Sequence, residues 1–171
     1  MNKKLMKNLL AIGGMIVLSL GIIVGIKYTN GDFSAKDNGV PLSVEGYAND
    51  NVTVNEAYRL EDGEVTSGYT VTVTTVGFNP GMPIVTKISF ASDKQTITNI
   101  EVLEQMETPG LGGKIAEEGF SSMFENVTAP VYTADMEQNG TSFDQITGAT
   151  ITSKAMATAI NAACEFLTTV E

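Results

Sequence analysis

The chain has 171 residues and a formal net charge of −10, with 10 basic residues against 20 acidic ones. That balance argues against nucleic acid as a partner, because phosphate backbones are gripped by clustered Lys and Arg. There is no histidine and one cysteine, Cys164, which excludes a Ser-His-Asp hydrolase, an internal disulfide and any cysteine-built metal or iron–sulfur centre within the chain.

The first element in chain order is apolar. From Leu9 to Ile26 the sequence reads "LLAIGGMIVLSLGIIVGI", uncharged and with Ser19 as its polar residue. A helix of roughly 18 residues is about 27 Å long, close to a hydrocarbon core of about 30 Å. A cleaved signal peptide is the competing reading, but Lys27-Tyr28-Thr29-Asn30 follows instead of a small-x-small cleavage site. The expectation is a retained transmembrane helix over 9–27. Lys3, Lys4 and Lys7 precede it, so residues 1–8 are expected in the cytoplasm and the remainder outside a bacterial cell membrane.

Residues 28–55 are rich in polar and turn-forming residues over most of their length and are expected to be a linker, with the extracytoplasmic domain running from 56 to 171. Gly68 to Phe78 alternates Tyr69, Val71, Val73 against Thr70, Thr72, Thr74, the pattern of a half-buried strand. Asn79 to Pro83 is a turn. Ile84 to Phe90 is a second strand, Ser92 to Lys94 a tight turn, and Thr96 to Glu104 a third strand. Together they predict an antiparallel β-meander with one apolar and one polar face. A short helix is predicted around Gly119 to Glu125. A longer one is predicted from about Ser153 to Leu167, with Met156, Ala159, Ile160, Ala163 and Leu167 as the buried stripe and Cys164 beside it. The fold class is α+β: a meander sheet packed with helices, preceded by a single N-terminal membrane helix.

Two segments carry chemistry. "ETPGLGGKI" (Glu107 to Ile115) has glycines that let the backbone bend and a ligand come close. It is not a nucleotide phosphate loop, since no Ser or Thr follows Lys114 and position 108 is not glycine. "DQITGATITSK" (Asp144 to Lys154) places hydroxyls around a Gly-Ala pair at a helix mouth. The first turn of a helix leaves N–H groups unpaired and carries partial positive charge. Gly148 and Ala149 keep the approach open, and Lys154 adds a full charge, so a phosphate would be held there. Ordinary N-capping by Thr150, Thr152 or Ser153 is an equal reading of the same residues.

The pattern Asp144-x-x-Thr147-Gly148-Ala149-Thr150-x-Thr152 resembles the flavinylation motif of the FMN-binding domain family. The resemblance implies FMN joined through its phosphate, as a phosphoester, to the last threonine, Thr152, by a separate flavin transferase. Glu107-Thr108-Pro109-Gly110-Leu111-Gly112 is similar to the family's second signature, a loop closing over the flavin. On that basis Glu107, Thr108, Pro109, Gly110, Leu111, Gly112, Thr147, Gly148, Ala149, Thr150, Ser153 and Lys154 are the expected cofactor-binding residues, with Asp144 part of the recognition motif and no metal. Members often carry a histidine two residues before the loop glutamate; here that position is Gln105.

An N-terminal anchor followed by both signatures is similar to the G-subunit family of Rnf complexes. That likeness implies a redox relay between ferredoxin and NAD in a machine that moves Na⁺ or H⁺. Its partners would be the integral membrane and iron–sulfur or flavin subunits of the complex. The C-subunit family of the Na⁺-translocating NADH:quinone oxidoreductase, another extracellular flavin protein, and an anchored module without flavin stay open beside it.

Overall fold

The computed structural model describes residues 39–48, 51–136 and 139–170. The expected membrane span over 9–27 lies outside the described residues. Among the described residues no helix is long and apolar enough to cross a membrane.

Five strands form one antiparallel sheet in the order β1-β2-β3-β4-β5: β1 (Gly39–Pro41), β2 (Val52–Asp62), β3 (Val65–Thr75), β4 (Ile84–Ala91) and β5 (Ile97–Glu104). Strands β3, β4 and β5 are the predicted meander. The sheet also takes in β1 and the start of β2, residues inside the expected linker. Val52 and Val54 are buried and alternate, but the register shifts between Val54 and Glu56, so the next buried residue is Ala57. That irregularity breaks the period of two in the sequence.

After β5 the chain makes a 3-10 turn (Gly112–Ala116), a one-turn helix α1 (Glu118–Ser121) and a second 3-10 turn (Ser122–Phe124). The short helix predicted near Gly119 to Glu125 is therefore split between two geometries. Two three-residue strands, β6 (Val131–Thr133) and β7 (Thr141–Phe143), pair in parallel. The last element is α2 (Thr150–Thr169). Helix α2 lies over β2, β3 and β4. The inner face of the sheet carries Tyr69, Val71, Val73, Ile88, Phe90 and Ile100, all buried. Thr86 on the same face donates to Met156 Sδ at 3.8 Å.

The predicted stripe of α2 is buried in full, and so are Ala155, Ala157, Ala162 and Phe166 on other sides of the helix. A second layer explains this. Asn161 clasps β6, with Oδ1 accepting from Val131 N at 2.8 Å and Nδ2 donating to Val131 O at 2.9 Å. The Phe166 ring packs edge-on to Tyr47 at 5.5 Å. Phe120, Phe124 and Phe143 form an edge-to-face cluster at 4.9–6.2 Å between centroids.

The outer sheet face is less polar in setting than its sequence suggests. Thr70 and Thr72 are both buried. They sit on a central strand opposite Tyr58 and Glu56 of β2 and Ser89 and Lys87 of β4. Long neighbours cover the short threonines, and Thr72 donates to Glu56 Oε1 at 3.3 Å.

The middle of α2 is the packing centre, with Ile160 fully buried. Ile160→Ala should cost about 2–5 kcal/mol, read as a lower midpoint in urea unfolding with an unchanged slope.

Candidate functional site

A cavity of about 340 Å³ is lined by Phe78, Glu107, Thr108, Leu111, Gly112 and Gly148 to Thr152. Three chain segments converge on it: the turn after β3, the loop after β5 and the start of α2. Its floor is a hydrogen-bonded pair. Thr152 Oγ1 donates to Glu107 Oε2 at 2.5 Å. Both residues are buried, at 1% and 5% exposure, although 45 positions apart in sequence.

The carboxylate is fixed from the other side by backbone. Phe78 N–H donates to Oε2 at 3.2 Å and Asn79 N–H to Oε1 at 3.1 Å. Asn79 also ties the two segments together, its Nδ2 donating to Met106 O at 3.2 Å. Gln105, which stands where a histidine was anticipated from the family pattern, accepts from Glu107 N–H through Oε1 at 2.7 Å. It holds the loop's backbone.

Two glycines make room for the pair. A Cβ on Gly112 would lie 2.6 Å from Thr152 Oγ1 and 2.9 Å from Glu107 Oε2. A Cβ on Gly77 would lie 2.6 Å from Glu107 Oε1. Gly112 lines the cavity, and the space its missing side chain leaves is filled by the protein's own Thr152 and Glu107. Gly148 and Gly110 serve differently, each adopting the left-handed backbone region at φ +78° and +74°.

The start of α2 differs from expectation. The helix begins at Thr150, three residues before Ser153, and its N-cap residue is Ala149 with no capping side-chain hydrogen bond. The hydroxyls have other tasks. Thr152 bonds Glu107. Ser153, fully buried, accepts from Ile146 N–H at 3.0 Å and donates to Ala149 O at 3.0 Å, pinning the loop that leads into the helix. Thr150 lines the cavity and is exposed. The reading of these hydroxyls as simple caps therefore fails, and the helix start that lines the cavity has no capping side chain.

Lys154 does not add its charge there. Its Nζ pairs with Asp135 Oδ2 at 2.7 Å. Lys154, with Thr133, holds the Asp135 carboxyl below the usual aspartate range. Asp144, Thr147, Pro109 and Gly110 are exposed and do not line the cavity. Phe78 and Ile151, both more than half exposed, form its apolar rim with Leu111. Sequence reasoning missed Phe78 and Gly77 because they follow an alternating strand and read as its end.

A neutral-donor helix start, a buried hydroxyl and an apolar rim suit a ligand with a phosphate at one end and a flat apolar body at the other. The family model described as FMN-binding domain matches residues 80–165, half of the chain, and the chain belongs to that family. Among relatives, the G subunit of the ion-translocating oxidoreductase complex of Methanosarcina acetivorans is 36% identical over 104 residues, covering 61% of this chain and 53% of that protein. The G subunit of the proton-translocating ferredoxin:NAD(+) oxidoreductase complex of Clostridium ljungdahlii is 28% identical over 113 residues, covering 66% and 60%. The chain thus spans little more than half the length of these relatives. The crystal structure of Shewanella oneidensis NqrC shares the fold, with a TM-score of 0.53 at 18% identity over 67% of this chain and 61% of that one.

Gly112→Ala should destabilise the domain by about 1–3 kcal/mol through overpacking. Gly110→Ala, with nothing within 4 Å of the added carbon, should cost about 1–2 kcal/mol from its left-handed backbone alone. Paired urea melts check this, and only Gly112→Ala should perturb the Thr152 amide and methyl resonances.

Proposed function

We propose that this chain is a membrane-anchored electron-transfer subunit of an Rnf-type ion-translocating oxidoreductase, carrying FMN as a phosphoester on Thr152. The observation that carries the reading is a buried hydroxyl in the cavity, at an uncapped helix start, within the segment matched to the FMN-binding domain family. The names of the relatives support the complex; the NqrC likeness reaches the fold alone.

The residues present suit FMN. The first-turn N–H groups of α2 would face phosphate oxygens, with Gly148 and Ala149 leaving the approach open. Phe78, Leu111 and Ile151 would cover the ring and keep water from it. Bound FMN would accept and donate electrons, while the protein sets its position and surroundings. Thr108, through its carbonyl, accepts from Leu111 N–H at 3.1 Å and Gly113 N–H at 3.0 Å, holding the loop in the shape that presents Leu111. Partners in this reading are the other subunits of the complex, a flavin transferase and the membrane.

Between the two cavity threonines of the helix start, burial and the bond to Glu107 favour Thr152, while Thr150 is exposed. Intact mass after co-expression with a flavin transferase tests the choice. Wild type should gain one FMN less one water. Thr152→Ala should gain nothing and still fold, and Thr150→Ala should keep the label. Label retained in Thr152→Ala would place the attachment elsewhere.

The proposed topology has residues 1–8 in the cytoplasm, the span 9–27 in the membrane and the flavin domain outside. An alkaline phosphatase fused after Glu171 should be active in intact cells, and an inactive fusion with an active cytoplasmic reporter at the same point would reverse the orientation.

A further inference from the structure

The cavity has a single ionisable side chain in its lining, Glu107, and its Oε2 already accepts the hydroxyl proton of Thr152. The chain has no histidine, and Lys154, the nearest cation along the helix, is engaged with Asp135. The carboxylate cannot easily turn away. Two backbone N–H groups hold its oxygens, and the space left by Gly77 and Gly112 is shaped to it. A carboxylate this deeply buried is retained at a desolvation cost, which a threonine with no further role would not require.

We propose that Glu107 is the proton acceptor for attachment at Thr152. This rests on the phosphoester reading above and adds a role for the carboxylate. The donor class is a flavin dinucleotide, whose pyrophosphate makes the flavin-side phosphorus electrophilic. The Thr152 Oγ1–phosphorus bond forms, the phosphorus–oxygen bond to the departing adenylate breaks, and the hydroxyl proton passes to Glu107 Oε2. Nothing is oxidised or reduced. The transferase supplies the donor; the acceptor protein supplies the base, already aligned on the nucleophile. A threonine hydroxyl is a weak nucleophile at its ordinary acidity and gains from an adjacent general base.

The test uses the purified full-length chain, a fixed amount of flavin transferase, and FAD. Labelling rates are read by intact mass from mildly acid to mildly alkaline pH, and each variant's thermal melt is recorded. Glu107→Gln keeps one acceptor oxygen, enough for one of the Phe78 and Asn79 N–H groups, and cannot take a proton. It should label about 10²-fold or more slowly than wild type at neutral pH. Its rate relative to wild type should climb as pH rises, because hydroxide replaces the missing base. Glu107→Asp should be slower than wild type while keeping the wild-type pH slope. Full-rate labelling of folded Glu107→Gln overturns the proposal. So does a deficit that is the same at every pH, which would mark a merely structural role. If Glu107→Gln does not fold, Glu107→Asp decides: labelling as fast as wild type with the carboxylate drawn back overturns the proposal. Thr152→Ala runs in the same assay; labelling of that variant would sink the attachment reading itself, whatever Glu107 does.

Discussion

The hydrogen bond between Thr152 and Glu107 is the contact on which the arrangement of the site depends. A buried carboxylate costs several kcal/mol in lost hydration unless donors replace the water. Here three donors come from two places: the hydroxyl on α2 and the N–H groups of Phe78 and Asn79 past β3. The hydroxyl ties the helix start, and the two N–H groups tie the turn after β3, to the loop that carries Glu107. Together they bind the turn after β3, the loop after β5 and the helix start into one unit. The two glycines follow from the same constraint, since a methyl at either place would occupy the volume of the carboxylate or the hydroxyl.

The electrostatics of the helix start follow from what does not happen there. No side chain caps α2, and the cation nearest in sequence is turned elsewhere. Lys154 stands two residues after Thr152, and positions two apart on a helix point to nearly opposite sides. Thr152 faces Glu107, so Lys154 faces away and meets Asp135. What remains for an anion is a set of neutral N–H donors and the end of the helix dipole.

The same geometry explains which parts of the structure could be read in the sequence. Strands β3, β4 and β5 are regular and showed their period of two. Strand β2 hid behind its register shift near Asn55, and β6 and β7 are too short to show a period. The stripe Met156, Ala159, Ile160, Ala163, Leu167 was legible from helical spacing. The burial of Ala155 and Phe166 was not, because it depends on a second layer held by Asn161. At the site, both motifs were visible as residues, yet their partnership was not. A contact between positions 107 and 152 is set by the tertiary fold, and no local pattern encodes it. Ser153 and Lys154 were assigned by proximity along the chain, whereas the helix distributes neighbours to different sides.

A phosphate site without a cationic side chain suits a covalent ligand better than a free one. A helix start contributes about 0.3–1 kcal/mol toward a nearby anion, rising to about 2 kcal/mol when partly buried, far short of what holds a small dianion at low concentration. A phosphate monoester near neutral pH carries about −1.5 to −2 charge, and here it would lie beside the Glu107 carboxylate. Converting it to a diester removes up to one of those charges and ties the remaining one to the helix start. The proposed bond to Thr152 therefore does two jobs in this cavity: it supplies retention that the neutral donors lack, and it lowers the repulsion that the buried carboxylate imposes.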